Sequence, residues 1–102
     1  MEIKHKFAGE ILVVSIEGEL DSYSAEFVRD YLDGLFDKQN AKQIVFNLSG
    51  LNFMDSTGIG VFIGRYKRMK SRGVPIYISG PSDHAKKILE MSGLFEIMPL
   101  IS

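Results

Sequence analysis

The residues best suited to chemistry lie in one run, Phe53-Met54-Asp55-Ser56-Thr57-Gly58-Ile59-Gly60. Asp, Ser and Thr together suit a helix start, because their oxygens accept from the unpaired N–H groups of the first turn. Capping accounts for one polar residue. It does not account for Asp-Ser-Thr-Gly-x-Gly set between apolar neighbours. The glycines on either side of Ile59 leave the backbone open, so a partner can approach Ser56 closely. A helix N-terminus also favours a phosphate on the Ser56 hydroxyl, through free N–H groups and the positive pole of the dipole, while Asp55 opposes it by repulsion. Phosphorylation there adds roughly −1.5 to −2 charges, which makes this serine a candidate switch.

Other chemistries fit less well. Gly58-Ile59-Gly60-Val61-Phe62-Ile63-Gly64 invites a dinucleotide reading, but the fingerprint's third glycine belongs where Ile63 stands. The next strand ends Ile78-Ser79-Gly80, without the acid that would hold a ribose. Gly64 is followed by Arg65-Tyr66 rather than Lys-Ser/Thr, so there is no phosphate-binding loop of the P-loop kind. A small nucleotide-binding domain is therefore the weaker alternative. Close helix packing through Gly60 and Gly64, one turn apart on one face, is the expected use of these glycines, since each costs a helix ~1 kcal/mol. His5 and His84 stand far apart with no ligand-spaced partners, and no G-x-S-x-G surrounds Ser56. No catalytic, metal or cofactor site is expected.

The elements that must position Ser56 can be read from periodicity. Ile3, His5 and Phe7 alternate against Glu2, Lys4 and Lys6, which predicts a half-buried strand. Ala8-Gly9-Glu10 turns it into a second strand, Ile11–Glu17. A helix begins near Ser22 or Ser24, with Phe27, Val28, Tyr31, Leu32 and Leu35 as its apolar face. Ile44–Leu48 reads as a central strand covered on both faces, and Leu51–Met54 as a connector. Asp55-Ser56-Thr57 opens a second helix, whose stripe is Ile59, Phe62, Ile63, Tyr66 and Met69 and which Gly73 ends. Val74–Ser79 is a strand with Pro75 at its beginning. Ser82 caps a short third helix ending at Gly93, and Leu94–Leu100 reads as a last short strand. The order ββαβαβαβ predicts an α/β fold: a mixed, mostly parallel β-sheet of four to five strands with an N-terminal hairpin and helices packed on it.

The chain has 102 residues, 45% apolar and 25% charged, a composition suited to a single domain over 1–102. It has no cysteine, which removes disulfides, thiol nucleophiles and thiolate metal sites. No apolar run approaches the ~20 residues of a membrane span. The N-terminus lacks the pattern of a signal peptide, so a cytoplasmic protein is expected. Net charge is −1, too near neutral for a nucleic-acid binder that works by neutralising phosphates. The charge is uneven: ten acids and five bases lie in residues 1–55, and three acids and seven bases in 56–102. Five of the bases fall between Arg65 and Arg72. They suit a solvated helix end, with a patch for an acidic partner as the other reading.

Four segments carry a family resemblance: Gly18-Glu19-Leu20-Asp21, Phe53-Met54-Asp55-Ser56-Thr57-Gly58-Ile59-Gly60-Val61, Gly64-Arg65-Tyr66-Lys67 and Met91-Ser92-Gly93-Leu94-Phe95. In this order and spacing the chain resembles a STAS domain, and more narrowly the anti-sigma factor antagonists of sporulating Gram-positive bacteria. The resemblance implies a binding module and not an enzyme. Its partner would be an anti-sigma factor that is also a serine kinase and carries its own ATP, and a serine phosphatase would reverse the modification. Ser56 matches the phosphorylated serine, and Thr57 is not the target. Asp21 matches an aspartate brought near that serine, so the implied partner-binding set is Asp21, Asp55, Ser56, Thr57, Gly58, Ile59 and Gly60. Relatives usually continue into a C-terminal helix, whereas this sequence stops at Ser102. A monomer or weak dimer is expected; if the helix is missing, apolar surface normally under it is exposed, which favours dimerisation or strand exchange. A STAS regulator of another partner-switching stress pathway is the alternative.

Overall fold

The computed structural model describes residues 1–102. Strands β1 (Glu2–Ala8) and β2 (Ile11–Leu20) form the antiparallel hairpin, joined at Gly9. Helix α1 (Ala25–Lys38) crosses over to β3 (Gln43–Asn47), which runs parallel to β2 with Val13 opposite Val45. Strand β4 (Leu51–Met54) precedes α2 (Ser56–Lys70), and β5 (Ile76–Ser79) then joins parallel to β3. Helix α3 (Asp83–Met91) and a 3-10 turn (Leu94–Glu96) follow. The sheet order is β1-β2-β3-β5, with β4 paired to the far half of β2. The α/β class, mixed sheet, hairpin and three helices are as the periodicity predicts.

Two elements differ from the sequence expectation. Leu51–Met54 is a strand rather than a connector. Its partner is the end of β2, made available by a bulge between Gly18 and Glu19. Gly18 has φ +112°, which side-chain-bearing residues rarely adopt, and a Cβ on it would crowd the Met1 Cα at 3.2 Å, so the position favours glycine. The predicted strand Leu94–Leu100 is instead a 3-10 turn followed by one bridge, Ile78 to Leu100. Leu94 and Met98 are both buried, a spacing of four that belongs to a helical turn, and Pro99 has no N–H to offer a ladder. The observed order is thus ββαββαβα, with the last strand reduced to a contact along the β5 edge.

The core lies between α1, α2 and one face of the sheet. Leu12, Val14 and Ile16 of β2, Ile44 and Phe46 of β3, and Ile76 and Ile78 of β5 are all buried on that face. Phe46 links the layers, 6.2 Å from Phe36 on α1 and 5.2 Å from Phe62 on α2. The opposite face of β3 is only half-covered at Val45 and Asn47, so this strand is not enclosed on both sides as expected. His5 and Phe7 are exposed although their alternation is correct, because β1 is the edge strand. On α1 the buried face is Ala25, Val28, Leu32, Leu35 and Phe36; Phe27 is half exposed.

Three of the five bases between Arg65 and Arg72 are tied to α1, while Lys67 and Lys70 are exposed. Arg65 is buried with its Nε 2.9 Å from Asp33 on α1, and Arg68 and Arg72 each reach Asp37 at 2.6 Å. Arg72 also donates to the Phe36 carbonyl at 3.2 Å, so three arginines clamp the end of α2 to α1. Burial lowers the pKa of Arg65, and Asp33 works against that shift.

Candidate functional site

Parallel strands place their C-terminal ends side by side, and loops leaving those ends carry the exposed polar groups. Leu20 pairs with Met54, so Asp21 and Asp55 follow neighbouring strand ends. The Asp55 N–H donates to the Leu20 carbonyl at 3.3 Å, which ties the two exits together. This pairing brings Asp21 to the Asp55–Gly60 segment across 33 intervening residues, and sequence spacing alone cannot show it.

Each aspartate caps a helical turn. Asp55 is the N-cap of α2, and its Oδ1 accepts from the Thr57 N–H at 2.9 Å. Its carbonyl accepts from the Gly58 N–H at 3.0 Å. Two first-turn amides are therefore already used, and the supply of free N–H groups for an anion is smaller than the sequence suggested. Asp21 Oδ1 accepts from the N–H groups of Tyr23 at 3.0 Å and Ser24 at 3.1 Å. Ser24, at the position of the α1 N-cap, makes no capping bond from its side chain; its hydroxyl donates to the Glu19 carbonyl at 2.8 Å. The cap of this entry is Asp21.

Between the caps the surface is specific. Ser56 is exposed in the first turn of α2, and Thr57 is half-buried. Gly58 is buried: a Cβ on it would meet Met54 Cε at 3.0 Å and Leu20 Cδ2 at 3.1 Å. Gly60 is exposed and Gly64 half-buried, and a Cβ on either would meet nothing within 4 Å. The expected close packing through Gly60 and Gly64 is thus absent, and the glycine with a packing reason is Gly58. Ile59 is half-buried against the core.

His84, for which the sequence offers no ligand-spaced partner, is exposed and belongs to this region. Its Nε2 lies 3.2 Å from the Met54 carbonyl, and its ring stacks on Phe53 at 5.3 Å and 20°. Ser82 caps α3 by accepting from the Ala85 N–H at 3.2 Å, which sets the histidine in place. No spacing signal connects position 84 to position 54. The surface depressions of the molecule all lie elsewhere, on the β1 and α1 flanks and at the end of α2. Ser56 stands on an open surface, suited to a macromolecular partner rather than to a small molecule held in a cleft.

Comparison with known proteins agrees with this arrangement. The family profile described as STAS domain matches residues 2–102, and the chain belongs to the STAS-domain family. Within it, the chain is 35% identical over 100 residues to the anti-sigma F factor antagonist of Paenibacillus polymyxa, covering 98% of this chain and 86% of that protein. It is 30% identical over 100 residues to the anti-sigma-B factor antagonist of Listeria monocytogenes, with the same coverages. The anti-sigma factor antagonist SpoIIAA, solved unphosphorylated, superposes with a TM-score of 0.82 at 24% identity over 99% of this chain and 89% of that one. The Bacillus cell-fate determinant SpoIIAA in its phosphorylated form gives 0.73 at 25% identity over 99% and 92%. The chain is a STAS protein of the anti-sigma factor antagonist type, a regulator and not an enzyme.

Proposed function

We propose that this antagonist binds an anti-sigma factor through the surface built from Asp21 and Asp55–Gly60, and that phosphorylation of Ser56 releases it. The anti-sigma factor acts as the serine kinase: the γ-phosphoryl group of its ATP passes to Ser56 Oγ, the hydroxyl proton leaves and ADP remains. A serine phosphatase returns the hydroxyl, and the cycle runs in the cytoplasm. The observation that carries this reading is an exposed serine hydroxyl in the first turn of α2, between two capped strand exits on an open surface. Asp21 and Asp55 hold the two turns in shape, Gly58 lets α2 sit down on Leu20 and Met54, and Gly60 gives the partner access to backbone. Thr57 is half-buried, with its N–H held by Asp55, and stays unmodified.

The test is incubation with the anti-sigma factor and ATP, read by mass spectrometry on the wild type and Ser56→Ala. One phosphate on Ser56, none on Ser56→Ala, and a Ser56→Ala protein that stays bound in ATP are expected. Phosphate on Thr57, or Ser56→Asp binding as tightly as wild type, would overturn the assignment. The relatives named for two different sigma factors support a shared mechanism. Membrane attachment plays no part in it, and no helix is long and apolar enough to cross a membrane.

A further inference from the structure

The N-terminal half of α1 carries a surface that neither the core nor the Ser56 region uses. Tyr23 is 95% exposed and Phe27 51%. They lie one turn apart, because the Asp21–Ser24 turn is already helical: the Ala25 N–H donates to the Asp21 carbonyl and the Val28 N–H to the Ser24 carbonyl. Phe27 continues into Tyr31, their rings 6.0 Å apart. The apolar pattern read from sequence assigned Phe27 to the core, and the structure leaves it outside.

Two features make this more than a stray pair of aromatics. The Tyr23 backbone is held, since its N–H and that of Ser24 both donate to Asp21 Oδ1 and the Asp21 N–H donates to Ser24 Oγ at 3.1 Å. An almost fully exposed tyrosine on a fixed turn offers a large contact area to a partner. Charge is the second feature. Glu26 and Asp30, three and seven residues after Tyr23, are exposed on the same side of the helix, and Glu19 and Asp21 precede it. No Lys, Arg or His occurs from Ala8 to Val28. Bases do border the far end of this face, Arg29 beside Asp30 and His5 and Lys38 in the depression that Asp30 and Tyr31 line. The Glu19–Glu26 stretch around Tyr23 carries acids alone and suits a guanidinium that stacks flat on the ring while its N–H groups reach an acid.

We propose that this face of α1 is the second half of the partner interface, and that it receives an arginine-bearing basic surface of the anti-sigma factor. The proposal rests on the functional reading above and extends it. Asp21 joins the two halves, because the carboxylate that ends the β2 exit beside Met54 also sets the turn that presents Tyr23.

The experiment titrates the full chain with its purified anti-sigma factor by calorimetry, with thermal melts to confirm the fold of each variant. Tyr23→Ala should melt near wild type, since its side chain is almost wholly solvated, and Phe27→Ala only slightly lower, since about half of its surface is covered; each should weaken binding by about tenfold or more. The double variant Glu26→Lys/Asp30→Lys should bind more weakly and lose most of the salt dependence that wild type shows between about 0.05 and 0.5 M. If Ser56→Asp weakens binding while Tyr23→Ala and Phe27→Ala bind within about twofold of wild type, the α1 face is not in the interface and the functional reading stands. Aromatic variants that weaken binding beside acid-to-lysine variants that do not would overturn the basic partner surface. A wild-type chain that does not bind the anti-sigma factor would refute the functional reading itself, and this extension with it.

Discussion

Replacing Gly60 by alanine should move stability and binding in opposite directions. Gly60 lies inside α2, five residues into the helix, and a Cβ built there meets nothing within 4 Å. Nothing opposes the gain from restricting the unfolded backbone, so Gly60→Ala should stabilise the fold by about 0.8–1 kcal/mol. For a domain of this size that corresponds to a rise in Tm of about 4–6 °C. The neighbouring Gly58 gives the contrast. Its added Cβ would press on Met54 Cε at 3.0 Å and on Leu20 Cγ and Cδ2 at 3.1 Å, and both side chains are fully buried. Overpacking of about 1–3 kcal/mol then outweighs the helix gain, and Gly58→Ala should lose roughly 1 kcal/mol net. Urea denaturation of the two variants and wild type reads these differences directly. Titration with the anti-sigma factor reads the other side: a methyl on the outer face of α2 should hold the partner off the backbone and weaken Gly60→Ala about tenfold, despite its greater stability. A less stable Gly60→Ala would mean that the helix face is crowded, contrary to the geometry. A stabilised variant that binds like wild type would remove this face of α2 from the interface.

Two further outcomes follow from the clamp between α1 and α2. Asp33→Ala should cost about 3 kcal/mol in urea denaturation, because it leaves Arg65 buried without its ion-pair partner, and adding Arg65→Met should recover most of that loss. Asp37, hydrogen-bonded first by Arg72 and then by Arg68, has its pKa held below the usual 3.8. The folded carboxylate therefore binds its proton less readily than the unfolded one. The stability from this group is fully present above about pH 5 and is lost as pH falls below about 4 through the lowered value. The stability difference between wild type and Asp37→Asn should accordingly shrink towards zero in acid.

How much of this was legible in the sequence depended on whether the signal was local. The hairpin, the three helices and the Asp55–Gly60 run each follow from residues a few positions apart, and each stands where periodicity put it. Strand β4 did not show, because four residues carry no clear period and its partner is the end of β2, exposed by a bulge at Gly18. The last strand failed for a related reason: Leu94–Leu100 is apolar enough for a strand, yet the positions that bury are Leu94 and Met98. Gly60 and Gly64 look identical to Gly58 in sequence; only the neighbours of each missing Cβ separate a packing glycine from two open ones. Asp21 entered the candidate site through family resemblance; what the structure shows of it is a cap at the start of α1, accepting from the Tyr23 and Ser24 N–H groups. His84 had no signal, since its tie to Met54 spans 30 residues and two elements.

Under the proposed function, a single phosphate on Ser56 suffices as a release signal. Ser56 sits on the surface, and the first-turn amides of Thr57 and Gly58 already bond to Asp55. A phosphate on Ser56 gains the favourable pole of α2 but faces the Asp55 carboxylate. In the free domain both charges remain hydrated, so the fold has little cause to rearrange. Across an interface the same pair loses its water, and a doubly charged group without a cation beside it costs several kcal/mol. Every ~1.4 kcal/mol of that cost is tenfold in affinity. In the proposed switch the Asp55 cap acts twice: it fixes the turn that carries Ser56, and it occupies first-turn amides that would otherwise stabilise the phosphate, so that the added charge acts against the partner rather than being absorbed by the domain.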